Sequence, residues 1–168
     1  MPRPSAPLTP RKPLYSLEER ARRDASGWTL VQGILAPVQF AVFVISAILV
    51  LRYLTSGEGY AIATASILLK TALLYTIMVT GAIWEKVVFG QYLFAPAFFW
   101  EDVVSFGVIA LHTLYLYGLI SGAIGPRALM LITLAAYAIY CINALQFLMK
   151  LRAARLDARD APARGIPA

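Results

Sequence analysis

Three carboxylic acids stand at the ends of one aromatic segment: Glu85 just inside its start, and Glu101 and Asp102 just past its end. The segment, residues 84–100, reads WEKVVFGQYLFAPAFFW and holds seven aromatic residues in seventeen positions. Carboxyl groups can donate or abstract a proton, and two in different surroundings can divide that work, one kept protonated and one ionised. Burial and neighbouring charge decide which is which. A plain connector between helices has no need of so much ring surface, whereas a wall for a flat, apolar ligand does. Trp84, Phe89, Tyr92, Phe98, Phe99 and Trp100 are the candidate ring contacts, with Lys86 and Gln91 as polar ones. The competing reading makes the three acids ordinary helix-end charges in a membrane interface.

The elements that position these residues follow from composition. The chain is 60% hydrophobic and 14% charged, with a mean hydropathy of +0.68. Soluble domains are nearer half apolar and a quarter charged, so 168 residues of this kind read as one membrane domain. Backbone groups in lipid must bond internally, which favours helices. The expected fold is an all-α integral membrane protein, a bundle of four transmembrane helices over about residues 30–51, 60–84, 103–120 and 128–149. Gly57-Glu-Gly59 and Ser121-Gly-Ala-Ile-Gly-Pro126 are the turns, and Pro37 kinks the first span or sits in its first turns. The membrane domain covers residues 15–155, with disordered polar tails at 1–14 and 156–168. Ser16-Leu-Glu-Glu19 matches a capping box, opening a short helix through Arg23 at the membrane surface.

Charge sets orientation. Six Lys/Arg (Arg3, Arg11, Lys12, Arg20, Arg22, Arg23) precede the first span and five (Lys150, Arg152, Arg155, Arg159, Arg164) follow the last. With Lys86, the side holding both termini carries twelve basic residues against two, Arg52 and Arg127, opposite. The positive-inside rule places both termini and the aromatic connector in the cytoplasm. The basic tails read as contacts to anionic lipid; no nucleic-acid readout module accompanies them. A single cysteine, Cys141, excludes an internal disulfide and reads as a small packing residue. The polar head is too long and the first apolar run too extended for a cleavable signal peptide.

Polar residues inside the spans form a second group. Gln32, Gln39 and Ser46 recur every seven residues on span 1, and Tyr140 and Asn143 share a face of span 4 near Phe147. Interhelical hydrogen bonds account for these positions. Gly118-x-x-x-Gly122 is a weak dimerisation pattern near a helix end.

Long strings identify a family. GYAIATASILLKTALLYTIMVTGAIWEKVVFGQYLFAPAFFWEDVVS (residues 59–105) closely resembles the vinyl-bacteriochlorophyllide hydratases of phototrophic bacteria, as do EERARRDASGWTLVQGILAPVQF (residues 18–40) and LRAAR (residues 151–155). The resemblance implies addition of water across the 3-vinyl group of a magnesium chlorin to give a 3-(1-hydroxyethyl) group, in bacteriochlorophyll biosynthesis. It implies no added cofactor, magnesium being part of the substrate, and possible docking of neighbouring pigment-biosynthesis enzymes. No catalytic residue is carried over by the resemblance.

Such a hydration needs a proton for the terminal carbon, a group to orient and deprotonate water, and a dry aromatic slot. Glu101 or Glu85 is the expected acid, and Asp102 or the other glutamate orients water. His112 lies on the same helical face as Glu101 and Ser105 and is a candidate axial ligand of the substrate magnesium. Eleven residues at about 1.5 Å each put it roughly 16 Å deeper than Glu101, so either the metal ligand lies nearer the boundary (Gln91 or water) or the chemistry sits deeper. An interhelical hydrogen bond is its other reading. Lys70, at similar depth, either meets the substrate carboxylate or snorkels to the far interface; the basic rim of Arg23, Lys86 and Lys150 is an alternative carboxylate partner. Two rivals stand beside the hydratase: a non-catalytic tetrapyrrole carrier or assembly factor, and a small membrane subunit of a respiratory or transport complex.

Overall fold

The computed structural model describes residues 13–160. Five helices follow one another: α1 (Leu17–Ala25), α2 (Gly27–Ser56), α3 (Tyr60–Phe89), α4 (Phe99–Ser121) and α5 (Pro126–Asp160). Helices α2 to α5 are long and apolar enough to cross a membrane. Each is longer than its apolar run, because the caps end the helix while hydropathy bounds the span. Of the tails expected at 1–14 and 156–168, residues 1–12 and 161–168 lie outside the described residues, and α5 continues as helix through Asp160.

Local chemistry explains each boundary. Ser16 Oγ accepts the Glu19 N–H and the Glu19 carboxylate accepts the Ser16 N–H, the capping box that starts α1. Ser26 closes α1 and caps α2 by accepting the Trp28 N–H, and Thr29 Oγ donates to the Arg23 carbonyl across that corner. Gly57 (φ 76°), Gly90 (φ 84°) and Gly122 (φ 66°) end α2, α3 and α4 in the left-handed region that a Cβ disfavours. Pro126 opens α5, where its missing N–H costs nothing. Pro37 lies inside α2, so the Gly33 carbonyl loses its usual helical donor.

The helices pack as two hairpins, α2 with α3 and α4 with α5, which meet chiefly along α2 and α5; α1 lies on α3. Arg22 Nε donates to the Val88 carbonyl at 2.8 Å, fixing α1 there. Polar side chains of the spans turn inward beside an apolar core, and large apolar side chains cover the outside. Gln39, Ser46, Lys70, Thr71, Ser105, His112 and Thr133 are buried, while Leu30, Ile45, Ile48, Ile120 and Leu148 face outward. Lipid explains that inversion: apolar side chains lose nothing by facing it, and polar ones must find partners within the bundle. Ser46 bonds Ser66 at 2.8 Å and receives the Tyr137 hydroxyl, and Gln32 donates to Thr80, so these polar positions of α2 hold helices together.

Two expectations are corrected. Cys141 is exposed, because it follows the inward-facing Tyr140 by a single residue, a rotation of about 100° around α5. Gly118 is buried under Ile124 of the next turn, where an added Cβ would meet Ile124 Cδ1 at 2.6 Å; it serves the α4–α5 corner, not a dimer.

Candidate active site

One end of the bundle gathers all three acids. Glu85 ends the inner face of α3, and Glu101 and Asp102 occupy the first turn of α4, where negative charge suits the helix dipole. Their exposures are 5, 4 and 4%. Glu85 Oε2 accepts the Ala95 N–H at 3.1 Å and Asp102 Oδ2 accepts the Phe94 N–H at 2.7 Å, so two carboxyls from different helices grip adjacent peptides of the connector. The Glu85 and Asp102 carboxyls also lie within hydrogen-bonding reach of each other. Phe94 has φ 59°, a strained conformation for a bulky residue, held at the pinned site.

Glu101 is placed differently. Its backbone carbonyl takes Asn143 Nδ2 and Ser105 Oγ, both at 2.8 Å, tying α4 to α5. Its Oε1 lies 3.6 Å from Lys150 Nζ, which also donates to the Ala97 carbonyl. Its Oε2 is buried without a hydrogen-bond partner among the described residues. Glu101 borders a cleft of about 250 Å³ with Leu14, Gln146, Met149, Lys150, Ala153 and Asp157. Leu14 N–H donates to Asp157 Oδ2, which draws the N-terminal arm across one side of that cleft.

The aromatic residues of the connector divide into two sets. Trp84, Phe89 and Phe98 turn inward and pack with Tyr15 of the arm and Phe147 of α5. Trp84 Nε1 donates to Thr29, fastening α3 to α2. Burial pushes the Tyr15 phenol up from its ordinary pKa, while the Arg23 guanidinium over its ring pulls it back. Tyr92, Phe94, Phe99 and Trp100 are exposed, with Phe94 stacked on Phe106 at 5.5 Å. The split arises because the turn closed by Phe98 N–H to the Ala95 carbonyl reverses the chain between Phe94 and Phe98. Truncation of the inner set's centre, Phe98→Ala, is expected to cost about 3–5 kcal/mol, read as a lower thermal midpoint in detergent with helical content retained at low temperature.

The other candidates have definite places. Lys86 Nζ donates to the Gly90 carbonyl at 2.7 Å and lies 5.4 Å from the Tyr92 ring; Gln91 Nε2 donates to the Leu93 carbonyl. Both brace the connector. Lys70 and His112 are deep inside. Lys70 has no exposure and its Nζ sits 3.7 Å from the Tyr140 ring centroid. His112 Nδ1 donates to the Val108 carbonyl at 2.8 Å, because a carbonyl can only accept; Nε2 therefore carries the lone pair. Ser105 and Val108 separate this pair from Glu101 along α4. Residues that sequence reasoning did not place at the site are Gln146, Met149, Leu14 and Asp157. They come from α5 and the arm, and only the packing of α4 on α5 brings them to Glu101.

The arrangement offers two carboxyls that grip the connector and a third, Glu101, that alone of the three lines the cleft. Carboxyls in such different surroundings can divide acid and base work between them.

Comparison with known proteins gives this chemistry its setting. No solved structure matches the chain. A protein of Cereibacter sphaeroides named 2-vinyl bacteriochlorophyllide hydratase is 72% identical over 155 residues, spanning 92% of this chain and 96% of that protein. One of the same name from Rhodobacter capsulatus is 69% identical over 156 residues, spanning 92% and 91%. The sequence profile of 2-vinyl bacteriochlorophyllide hydratases matches residues 15–153, which contain all three acids, the aromatic connector and, of the α5 side of the cleft, all but Asp157. By that match and those identities, the chain belongs to the 2-vinyl bacteriochlorophyllide hydratase family.

Proposed function

We propose that this protein adds water across the vinyl group of a magnesium bacteriochlorophyllide or chlorophyllide, and that Glu85, Asp102 and Glu101 carry the chemistry. The observation that carries the residue assignment is Glu101 itself, a buried acid that lines the α4–α5 cleft and keeps one oxygen, Oε2, without a partner among the described residues. The Glu85–Asp102 pair holds one proton, since two buried carboxyls close to each other resist double ionisation. That proton goes to the terminal vinyl carbon; the π bond breaks and positive charge forms on the inner carbon, delocalised into the macrocycle. Water oxygen bonds to the inner carbon while Glu101 takes one of its protons. The product is a 1-hydroxyethyl group, and the proton passes from Glu101 back to its chain neighbour Asp102. Electrons and atoms balance without an external redox partner, so the step calls for no redox cofactor.

Size decides how the substrate sits. A cleft of about 250 Å³ is below the usual range for whole drug-sized ligands. It admits the vinyl-bearing edge and leaves the macrocycle against the lipid-facing surface at its mouth, where Met149 and Leu148 are exposed. The exposed rings of Tyr92, Phe94, Phe99, Trp100 and Phe106 flank the same end of the bundle and offer stacking surface to the pigment as it enters from lipid. The substrate carboxylate is met by the basic rim, Lys150 and Arg152, rather than by the enclosed Lys70. Lys70 and His112 are assigned to the interior packing of the bundle, and the magnesium takes its axial ligand elsewhere.

The charge asymmetry supports a multi-pass placement in the bacterial cytoplasmic membrane, with both termini and the acids on the cytoplasmic side. The basic tails then meet anionic lipid and are available to neighbouring pigment-biosynthesis enzymes. The test is incubation of the purified protein with a vinyl bacteriochlorophyllide in oxygen-18 water. A pigment heavier by one labelled water is expected. Pigment that is bound tightly and returned unchanged would establish the carrier instead.

A further inference from the structure

The cleft between α4 and α5 has one wall that neither helix supplies. Of its lining residues, Glu101 belongs to α4 and five others to α5; Leu14 alone comes from the arm that precedes α1. The Leu14 N–H donates to Asp157 Oδ2 at 3.0 Å, a bond between residues 143 positions apart in the chain. A backbone N–H given to a carboxylate makes one of the stronger hydrogen bonds. Among the described residues Asp157 forms no ion pair. The arginines of this stretch, Arg152, Arg155 and Arg159, stand five, two and two residues away and so occupy other faces of α5. One turn earlier, on the face of Asp157, come Ala153 and Ala154, whose methyl groups leave room for the arm. Ala153 lines the cleft, and Ala154 packs with Leu14 on the cluster of Tyr15, Val88 and Phe98. Tyr15 anchors the arm on its other side. It is 8% exposed, stacks on Phe89 at 5.8 Å, and carries the Arg23 guanidinium over its ring at 4.7 Å. A ring pegs the arm and a carboxylate clasps it, with the Leu14 isobutyl group on the cleft between them.

We infer that the arm, clasped by Asp157, is the third wall of the reaction cleft, and that Leu14 limits the size of the alkene admitted there. The inference rests on the hydratase reading and deepens it: Glu101 lines the same cleft and supplies chemistry, while Leu14 supplies fit. Shape is what an apolar wall contributes. The cleft of about 250 Å³ must hold the ring edge as well as the alkene. One carbon more or less against a hydrophobic wall is worth about 10- to 200-fold in kcat/KM. Vinyl is the smallest alkenyl group, so a wall that stops the next larger one makes the cleft selective for it. Asp157 acts through Leu14 and is a positioning residue.

The experiment uses the purified full-length chain in detergent with two magnesium pigments, a vinyl bacteriochlorophyllide and its analogue bearing a 1-propenyl group, larger by one methyl. kcat/KM is measured for each. The propenyl-to-vinyl ratio is then compared between variants, so that the intrinsic reactivity of the two alkenes cancels. Leu14→Ala is expected to raise that ratio about tenfold, within the range that one carbon commands in an apolar pocket. Asp157→Ala, which keeps Leu14 but releases its N–H, is expected to move the ratio in the same direction. Asp157→Asn keeps an oxygen for the Leu14 N–H and is expected to hold the wild-type ratio. Mere loss of stability lowers turnover of both pigments together and leaves the ratio where it was. An unchanged ratio in Leu14→Ala overturns the wall, and one in Asp157→Ala overturns the clasp, while vinyl hydration by the unaltered protein keeps the hydratase reading intact. Should Asp157→Ala not accumulate, a raised ratio in Asp157→Asn overturns the clasp instead. Absence of hydration by the unaltered protein defeats the hydratase reading itself.

Discussion

Glu101→Gln is expected to lower hydration by about a hundredfold to ten-thousandfold, the range that a positioned acid or base contributes, while the variant still folds and binds pigment. The physical reason lies in the two carboxylate oxygens. Oε1 lies 3.6 Å from Lys150, and Oε2 is buried without a partner among the described residues, in a side chain that lines the cleft. An amide preserves the shape and can still contact Lys150, but it cannot take a proton from water. The ion pair lost in the change joins a buried carboxylate to a partly buried lysine, so stability is read beside activity as a thermal midpoint. Steady-state turnover with detergent-solubilised protein, beside pigment binding followed by absorbance, separates the two. Wild-type turnover in Glu101→Gln would remove Glu101 from the chemistry.

Glu85→Gln and Asp102→Asn are expected to cost at least about a hundredfold each in turnover at nearly unchanged thermal midpoint. Each carboxyl does two jobs: it accepts a connector N–H, and the pair holds a proton. Amide oxygens can take over the first, from Ala95 and from Phe94, but the second is lost. Asp102→Ala removes both. It leaves the Phe94 N–H without its acceptor and the φ of 59° without its brace, so a loss of about 1–3 kcal/mol is expected on top of inactivity. If the two amide variants turn over at the wild-type rate, the pair merely pins the connector, and the proton comes from elsewhere.

Much of the fold was legible because its signals are local. Ser16 and Glu19 are three residues apart and make their capping box; Gly57 and Gly122 fall in turns that the apolar runs already bound. Gln32 and Ser46 make the interhelical bonds that their heptad spacing suggested. The clustering of Glu85, Glu101 and Asp102 followed from a connector too short to separate the two helix ends. What the sequence did not show depends on packing between distant segments. Seven aromatic residues in one stretch look like one wall, yet the turn at Phe98 sends them to two faces, and the inner set takes Tyr15 from the arm. Gln146 is one polar residue among apolar ones until α5 lies against α4. Lys70 and His112 share a depth, as counting residues indicates, but counting does not reveal that both are enclosed.

The most direct measurement is a structure of Glu101→Gln bound to a vinyl bacteriochlorophyllide. The vinyl carbons are expected in the cleft between α4 and α5, within about 3–3.5 Å of the groups that react with them, with the macrocycle lying outside along the lipid face. A pigment whose vinyl group points away from residue 101, or whose ring is held on a face remote from Glu85 and Asp102, would contradict the assignment of all three acids.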